Sequence, residues 1–214
     1  MNPAKRREIF ARFERANPHP QGELHWSTPF QLLVAVILSA QATDRGVNLA
    51  TATLFRDAPG PREMLALGRE GIERHIRTIG LFRSKARHVE ETCRILVERH
   101  GGEVPRDRES LESLPGVGRK TANVVLNIAF GEPTIAVDTH LFRLANRIPL
   151  APARTPLAVE RRLLRLIPPE YLQHAHHWLI LHGRYVCKAV RPDCPNCLIA
   201  DLCEYRAKTP AREA

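Results

Sequence analysis

The sequence predicts an all-α protein built of two helical domains. Stretches with the hydrophobic spacing of helices follow one another along most of its 214 residues. The clearest begins at Pro29, where a nearly unbroken apolar run is typical of a helix buried at the centre of a bundle. Two breaks rich in proline and glycine, at 18–22 and 131–133, mark the points where the chain crosses between domains.

The positions of these breaks predict how the chain is divided. Residues 23–132 form a six-helix domain, which is inserted into a second, discontinuous domain made of residues 1–22 and 133–214. Helical patterns cover residues 4–16, 29–42, 44–57, 61–67, 69–78, 84–100, 118–130, 139–146, 155–167 and 170–186, and residues 107–113 lead into the turn that precedes 118–130. A cleft between two domains is a usual place for a binding site.

The apolar run at 30–38 has a second interpretation. A buried β-strand shows the same absence of polar residues. The run, however, continues through Ser39 and Ala40 to Ala42 without a turn signal, which favours a helix.

Charge and composition indicate the class of partner and the compartment. The formal net charge is +9, which suits a polyanionic partner such as a nucleic acid. No apolar run reaches membrane-spanning length, and the N-terminal residues lack the apolar core of a signal peptide. These features predict an intracellular protein without membrane contact, whose five cysteines are reduced. We further expect a monomer in a bacterial cytoplasm.

A glycine turn at 114–122, Leu-Pro-Gly-Val-Gly-Arg-Lys-Thr-Ala, is the strongest local motif. Gly116 and Gly118 allow a tight turn and a close backbone approach, and a helix follows. The start of that helix presents backbone amides and the positive end of a dipole, which suits a phosphate. Lys120 lies in its first turn, where the dipole disfavours the ammonium and favours a nucleophilic amine. Arg119 excludes a nucleotide P-loop, which needs glycine directly before the lysine.

Asp138, in Val-Asp-Thr-His, is the second candidate. The helix over 118–130 is about 18 Å long, and the segment 131–138 spans up to about 26 Å when extended. That segment is long enough to run back and place Asp138 beside Lys120. The simpler interpretation of Asp138 is an N-cap for the next helix, and one carboxylate can serve both purposes.

Four cysteines near the C-terminus, within 187–203, predict a metal site. They are Cys187, Cys194, Cys197 and Cys203. Disulfides are disfavoured in a reducing compartment, and the spacing alone favours tetrahedral zinc. Arg184, Lys188 and Arg191 crowd the same loop and form either a phosphate-contacting face or a solvated basic surface. The histidines at 174–182 scatter around their helix, and we interpret them as packing or surface groups.

Together, the hairpin at 114–122, the Val-Asp-Thr-His motif and the cysteine tail resemble the helix-hairpin-helix DNA glycosylases that carry a four-cysteine loop. The resemblance runs from residue 1 to about residue 206. It implies a nucleophilic role for Lys120 and an essential partner role for Asp138. It also implies one [4Fe–4S] cluster per chain on the four cysteines, in place of zinc.

The same resemblance implies an activity and a set of DNA contacts. The expected function is a bifunctional glycosylase and abasic-site lyase that acts on oxidised pyrimidines in damaged double-stranded DNA. Gln41 fills the gap left by an extruded nucleotide, and Leu81 wedges into the duplex. The other expected DNA contacts are Gly116, Val117, Gly118, Arg119, His140, Arg184, Lys188 and Arg191.

Two other functions fit part of the sequence. A non-catalytic helix-hairpin-helix module explains the net charge and the glycine turn but not the pairing of Lys120 with Asp138. An adenine-mismatch glycosylase shares the cysteines, but relatives of that kind do not carry lysine at the place of Lys120.

Overall fold

The computed structural model describes residues 1–210 and contains no β-strand within that range, which confirms the all-α fold class. Residues 211–214 of the predicted second domain lie outside the described part. The α-helices are α1 (Pro3–Ala16), α2 (Pro29–Leu38), α3 (Asp44–Asp57), α4 (Pro61–Ile76), α5 (Phe82–Arg99), α6 (Arg108–Glu112), α7 (Arg119–Phe130), α8 (Thr139–Arg147), α9 (Pro156–Leu166) and α10 (Leu172–Leu181). Within residues 1–210, no helix combines the length and hydropathy needed to cross a membrane.

The chain divides into two compact units. The six-helix unit is Glu23–Glu132 and contains α2 to α7. The terminal unit combines Met1–Gly22 with Pro133–Ala214. Each unit has its own cluster of buried apolar side chains, as expected of a segment that folds around a separate core.

The six-helix unit is built around α2. Every residue from 30 to 38 is buried, which confirms the central helix that the apolar run predicts. Thr28 caps this helix, since its hydroxyl accepts a hydrogen bond from the backbone N–H of Gln31 at 3.2 Å. Pro29 occupies the first helical position, where its missing N–H costs nothing. Helices α3, α5 and α7 pack against α2.

Helix α4 is interrupted where the sequence predicts a break between two helices. Gly68 has φ 69° and ψ 170° inside the span Pro61–Ile76, a conformation that glycine adopts without a steric cost. The following helix, α5, begins at Phe82, two residues earlier than the pattern predicts. Its cap, Leu81, has the left-handed φ of 61°, which is uncommon for a branched apolar residue.

The terminal unit joins the two ends of the chain. On α1, Arg12 makes a bidentate ion pair with Asp201, with N–O distances of 2.5 and 2.8 Å. This guanidinium holds the pKa of the Asp201 carboxyl below its usual value. The indole Nε1 of Trp178 on α10 donates to the carbonyl of Asn17 at 2.7 Å. These contacts, together with the shared apolar core, hold α1 against the C-terminal helices.

The expectation of one helix over residues 170–186 is wrong in its details. A 3₁₀ turn at Pro169–Tyr171 comes first, because consecutive prolines cannot continue a regular helix. Helix α10 follows, and a wider π-type turn spans His182–Val186, where the backbone N–H of Cys187 donates to the His182 carbonyl at 2.7 Å. Such turns occur often at functional sites.

Candidate functional site

The glycine turn between α6 and α7 leaves the N-terminus of α7 without a side-chain cap. Gly116 has φ 79°, and a Cβ there would lie 3.0 Å from the His88 ring, so both conformation and space require glycine. Gly118 is extended, with φ −98°, and nothing lies within 4 Å of the position of its Cβ. Val117 is buried and its N–H donates to the Leu114 carbonyl at 3.0 Å, which closes the turn.

Lys120 lies in the first turn of α7, and its side chain is exposed. Its neighbour Arg119 is half-buried and lies 3.9 Å from the carboxylate of Glu112 on α6. A primary amine is therefore presented at the uncapped, positive end of a helix. An anion bound at that helix end would lie close to this amine.

Asp138 caps α8, as the sequence predicts. Its Oδ1 accepts the backbone N–H of Leu141 at 2.8 Å, and its Oδ2 lies 3.0 Å from Nδ1 of His140. The Asp138 side chain is 17% exposed, and these two contacts fix its orientation. His140 was predicted as a DNA contact, and the structure places it against the carboxylate.

The start of α8 packs closely against the turn at 182–186. A Cβ on Gly183 would lie 3.1 Å from the His140 carbonyl oxygen, so only glycine allows this approach. Arg143 donates to the Gly183 carbonyl at 2.5 Å and to that of Cys187 at 3.2 Å. Arg147 lies 3.7 Å from the Cys187 sulfur. The helix that begins at Asp138 is thus attached to the first cysteine of the loop.

Two left-handed residues occupy neighbouring turns of the six-helix unit. Gln41, after α2, has φ 54°, and Leu81, before α5, has φ 61°. A Cβ on Gly80 would lie 4.0 Å from the Gln41 carbonyl oxygen, which shows that the two turns adjoin. Both side chains are exposed, Leu81 by 63%. A left-handed non-glycine residue costs about 1–3 kcal/mol, and such strain is concentrated at functional sites.

The four cysteines of the C-terminal loop are free thiols that line one pocket. The pocket encloses about 350 Å³, part of it open to solvent. Burial, together with the other three thiols, raises the pKa of the Cys197 thiol to about 11. His182 reaches the Cys197 sulfur at 3.6 Å, and burial lowers the pKa of this histidine to about 4. Among the described residues, no three His, Cys, Asp or Glu side chains converge closely enough to hold a metal ion.

The basic residues of this loop lie on its outer side. Lys188 and Arg191 are exposed, and Arg191 has the positive φ of 48°. Arg184 is half-buried. Lys120 belongs to the six-helix unit and Asp138 to the terminal unit, so the pairing of these two side chains stays a prediction.

Comparison with known proteins identifies the family of this chain. A family model of the HhH-GPD superfamily base excision DNA repair proteins matches residues 34–169. Endonuclease III of Escherichia coli strain K12 is 60% identical over 208 residues, which cover 97% of this chain and 99% of that protein. The chain belongs to the endonuclease III family.

Two further relatives extend this likeness. Endonuclease III of Haemophilus influenzae is 58% identical over 97% of this chain and 99% of its own length. A solved structure of a trapped endonuclease III–DNA covalent intermediate superposes with a TM-score of 0.87 at 44% identity. That match covers 96% of this chain and 97% of the solved chain.

The left-handed conformation of Leu81 leads to a prediction about the stability and activity of two variants of this member of the endonuclease III family. We expect Leu81→Gly to unfold with a free energy about 0.5–1 kcal/mol higher than Leu81→Ala, because glycine relieves the left-handed strain. Both variants remove the side chain that is predicted to wedge into the duplex. Both should therefore slow base excision from an intact duplex more than cleavage at an abasic site, whose base is already gone. Denaturant unfolding and single-turnover cleavage measure the two effects.

Leu49 provides the matched control for stability, because it is an equally exposed leucine in the interior of α3. There the order reverses, and Leu49→Gly should be less stable than Leu49→Ala by about 1 kcal/mol. If the Leu81 variants lose base excision from the duplex and cleavage at the abasic site equally, Leu81 is not the wedge. Gln41→Ala should also impair duplex excision selectively.

Two residues of the structure escaped the sequence analysis. No sequence motif around Gly183 indicates that its backbone lies close to His140. Lys85 stands in a helix with many charged residues and is nevertheless only 4% exposed. Nothing in a single sequence separates such a buried lysine from a solvated one.

Proposed function

We infer that this protein is a bifunctional DNA glycosylase of base excision repair. It removes oxidised pyrimidines, such as thymine glycol, from duplex DNA and cleaves the resulting abasic site. The observation that carries this conclusion is the exposed amine of Lys120 at the uncapped start of α7, in a chain 60% identical to endonuclease III over nearly its whole length.

We propose that the reaction begins with extrusion of the damaged nucleotide, because the C1′ atom cannot be reached inside a stacked duplex. The neutral amine of Lys120 attacks C1′, the bond to the base breaks, and one of the two N–H protons goes to the departing base. The C1′–O4′ bond then breaks as the lysine nitrogen forms a double bond to C1′, and O4′ takes a proton from water. The nitrogen keeps its other proton, so the Schiff base is a cationic iminium. Loss of a C2′ proton then expels the 3′ phosphate by β-elimination, and water releases the enzyme. The relative that was trapped as a covalent DNA intermediate supports this route.

In this proposal Asp138 stays ionised and stabilises the positive charge that develops on the sugar. Its Oδ1 is occupied by the cap of α8 and its Oδ2 by His140, so the carboxylate is held in one orientation. Such preorganisation is what makes an electrostatic group effective, since no reorientation is needed during the reaction. The carboxylate also assists deprotonation of Lys120.

The DNA backbone is proposed to bind at the hairpin and at the basic loop. The turn 116–118 and Arg119 supply amides and a cation at the start of α7, where the helix dipole favours a phosphate. His140, Arg184, Lys188 and Arg191 add further contacts from the terminal unit. We propose that the protein acts as a monomer on chromosomal DNA in a bacterial cytoplasm, as the bacterial origin of its relatives suggests.

We propose that Cys187, Cys194, Cys197 and Cys203 hold one [4Fe–4S] cluster. The four thiols are all free and line one pocket. Four cysteines suit either zinc or an iron–sulfur cluster, and membership of the endonuclease III family favours the cluster. Arg147, beside the Cys187 sulfur, offsets negative charge there. The cluster would supply structural cross-linking of the loop.

Iron content tests this assignment. Freshly purified protein should be yellow-brown with about four irons per chain. Cys194→Ser should lose the iron and unfold the terminal unit at lower denaturant, because metal binding and folding are coupled. The fifth cysteine, Cys93, is fully buried in the six-helix unit, and Cys93→Ala is the control that keeps its iron. A colourless, active protein with one zinc would refute the cluster.

The activity itself is tested with a thymine-glycol duplex and borohydride. The proposal predicts release of the base, a cut on the 3′ side and a covalent adduct. Base release without any adduct would indicate a monofunctional glycosylase. Binding without either would indicate the non-catalytic helix-hairpin-helix module.

A further inference from the structure

The exposed face of α9 carries a group of arginines that the proposed reaction does not use. Arg161, Arg162 and Arg165 are exposed, and all three line one groove of about 740 Å³, part of it open to solvent. Arg154, just before the helix, is exposed as well. We call these four side chains the α9 arginine cluster. The opposite face of the helix packs into the core of the terminal unit.

No carboxylate neutralises the α9 arginine cluster. Glu160 is the only acidic residue in the segment 148–168, and it is 3% exposed, so its charge is not presented at the surface. Arginines on α1 of the same unit behave differently, since Arg12 and Arg15 both pair with Glu8. Within residues 1–210, no carboxylate lies at ion-pair distance from any member of the cluster. The surface of α9 is therefore strongly positive.

The stability of the helix alone does not account for this arrangement. Arg161 and Arg165 lie one turn apart, and like charges at this spacing destabilise a helix. The helix dipole favours a cation in the last turn, which explains Arg165 but not Arg161 or Arg162. Two of the guanidinium groups are also held in place: Arg162 donates to the Pro152 carbonyl, and Nε of Arg165 donates to the Arg161 carbonyl at 3.3 Å. Each guanidinium has five N–H donors, so most of them stay available for a ligand.

The chemistry of the cluster indicates an anion with many charges. A guanidinium binds two phosphate oxygens through parallel N–H bonds. Four such groups on one surface carry more positive charge than a single phosphate can neutralise. Each strand of duplex DNA offers a phosphate charge about every 3.4 Å along the duplex axis. Arg161 and Arg165 are attached about 6 Å apart along the helix axis, so they can contact separate phosphates.

We propose that the α9 arginine cluster binds the phosphate backbone of duplex DNA, in addition to the hairpin and the loop residues 184–191. The inference rests on the proposed function, since it takes duplex DNA as the ligand. Backbone contacts carry no sequence information, so this surface adds affinity for undamaged and damaged DNA alike. Such binding lets a protein slide along DNA, and the cluster therefore serves the search for damage.

The salt dependence of binding to an undamaged duplex tests the proposal. The variant replaces Arg161, Arg162 and Arg165 together by glutamine, which keeps good helix propensity. Each phosphate contact contributes about 0.9 to the slope of log affinity against log salt, so the loss of three contacts should lower the slope by about 2.7. The affinity advantage of the wild type should then shrink about 40-fold between 50 and 200 mM salt. Fluorescence anisotropy of a labelled duplex measures the affinities.

A matched triple variant controls for the change in net charge. Arg62, Arg94 and Arg99 are exposed on α4 and α5 and do not line the groove. Their replacement by glutamine removes the same charge and should leave the slope close to that of the wild type. A second variant replaces the three groove arginines by lysine, which keeps the charge and binds phosphate as a point charge. It should retain most of the slope.

An unchanged slope in the glutamine variant of the groove would overturn the proposal, while base release by the same protein would leave the proposed function standing. An equal fall in the control variant would also overturn it, because the effect would then come from net charge and not from one surface. A lysine variant as weak as the glutamine variant would show that the arginines act through the structure of α9. Failure of the wild type to bind the duplex at low salt would overturn both inferences together.

Discussion

Lys120→Gln is expected to abolish both strand cleavage at an abasic site and borohydride trapping. A Schiff base requires a primary amine, and the amide of glutamine cannot form one. Lys120 is exposed in the first turn of α7, so the substitution removes no packing and leaves the hairpin intact. Cleavage of an end-labelled abasic duplex and the shift of the trapped adduct in a denaturing gel measure the two losses.

Lys120→Arg separates nucleophilicity from charge. A guanidinium keeps the positive charge but stays protonated and does not form the Schiff base. We expect Lys120→Arg to be as inactive as Lys120→Gln, with duplex affinity close to that of the wild type. Substantial cleavage by Lys120→Arg would mean that the residue contributes a charge and that another amine is the nucleophile.

Asp138→Asn is expected to slow base excision by about a hundredfold to a thousandfold, because it removes the negative charge that opposes the sugar cation. Trapping on a preformed abasic aldehyde should change much less, since no bond to a base remains to be broken. Single-turnover rates on a thymine-glycol duplex and on an abasic duplex separate the two steps.

Stability measurements separate the effect of the negative charge of Asp138 from its effect as the N-cap of α8. The carboxylate caps α8, and asparagine caps a helix about as well as aspartate. Asp138→Asn should therefore unfold near the wild-type free energy, whereas Asp138→Ala should lose about 1 kcal/mol through the missing cap. Equal losses of excision and abasic cleavage in Asp138→Asn would contradict the assigned role.

Much of the fold can be predicted from local patterns because each is dominated by one physical requirement. Helix α2 is apolar on all sides, and only a central position buries every side. Gly68 breaks α4 because no other residue adopts its conformation cheaply. Gly116 marks the hairpin for the same reason, and the spacing of the cysteines marks the pocket.

Other features depend on tertiary contacts that leave no local trace. Gln41 and Leu81 adopt left-handed conformations. Neither is glycine or asparagine, the residues that usually indicate such a conformation in a sequence. The π-type turn after α10 contains Gly183, whose close approach to the His140 carbonyl is a tertiary contact. Lys85 is buried although its helix carries many charged residues, and a lysine in such a helix is predicted to be exposed.

The identity of the nucleophile is the central claim, and peptide mapping of the trapped complex tests it most directly. Wild-type protein is incubated with an abasic duplex and borohydride, the DNA is digested, and the modified residue is located by mass spectrometry. The α-amine of Met1 is the obvious competitor, although it lies 3.0 Å from the Glu204 carboxylate in an ion pair. We expect the sugar remnant on Lys120. A remnant on Met1, on Lys85 or on any other amine would contradict the assignment of Lys120 as the nucleophile.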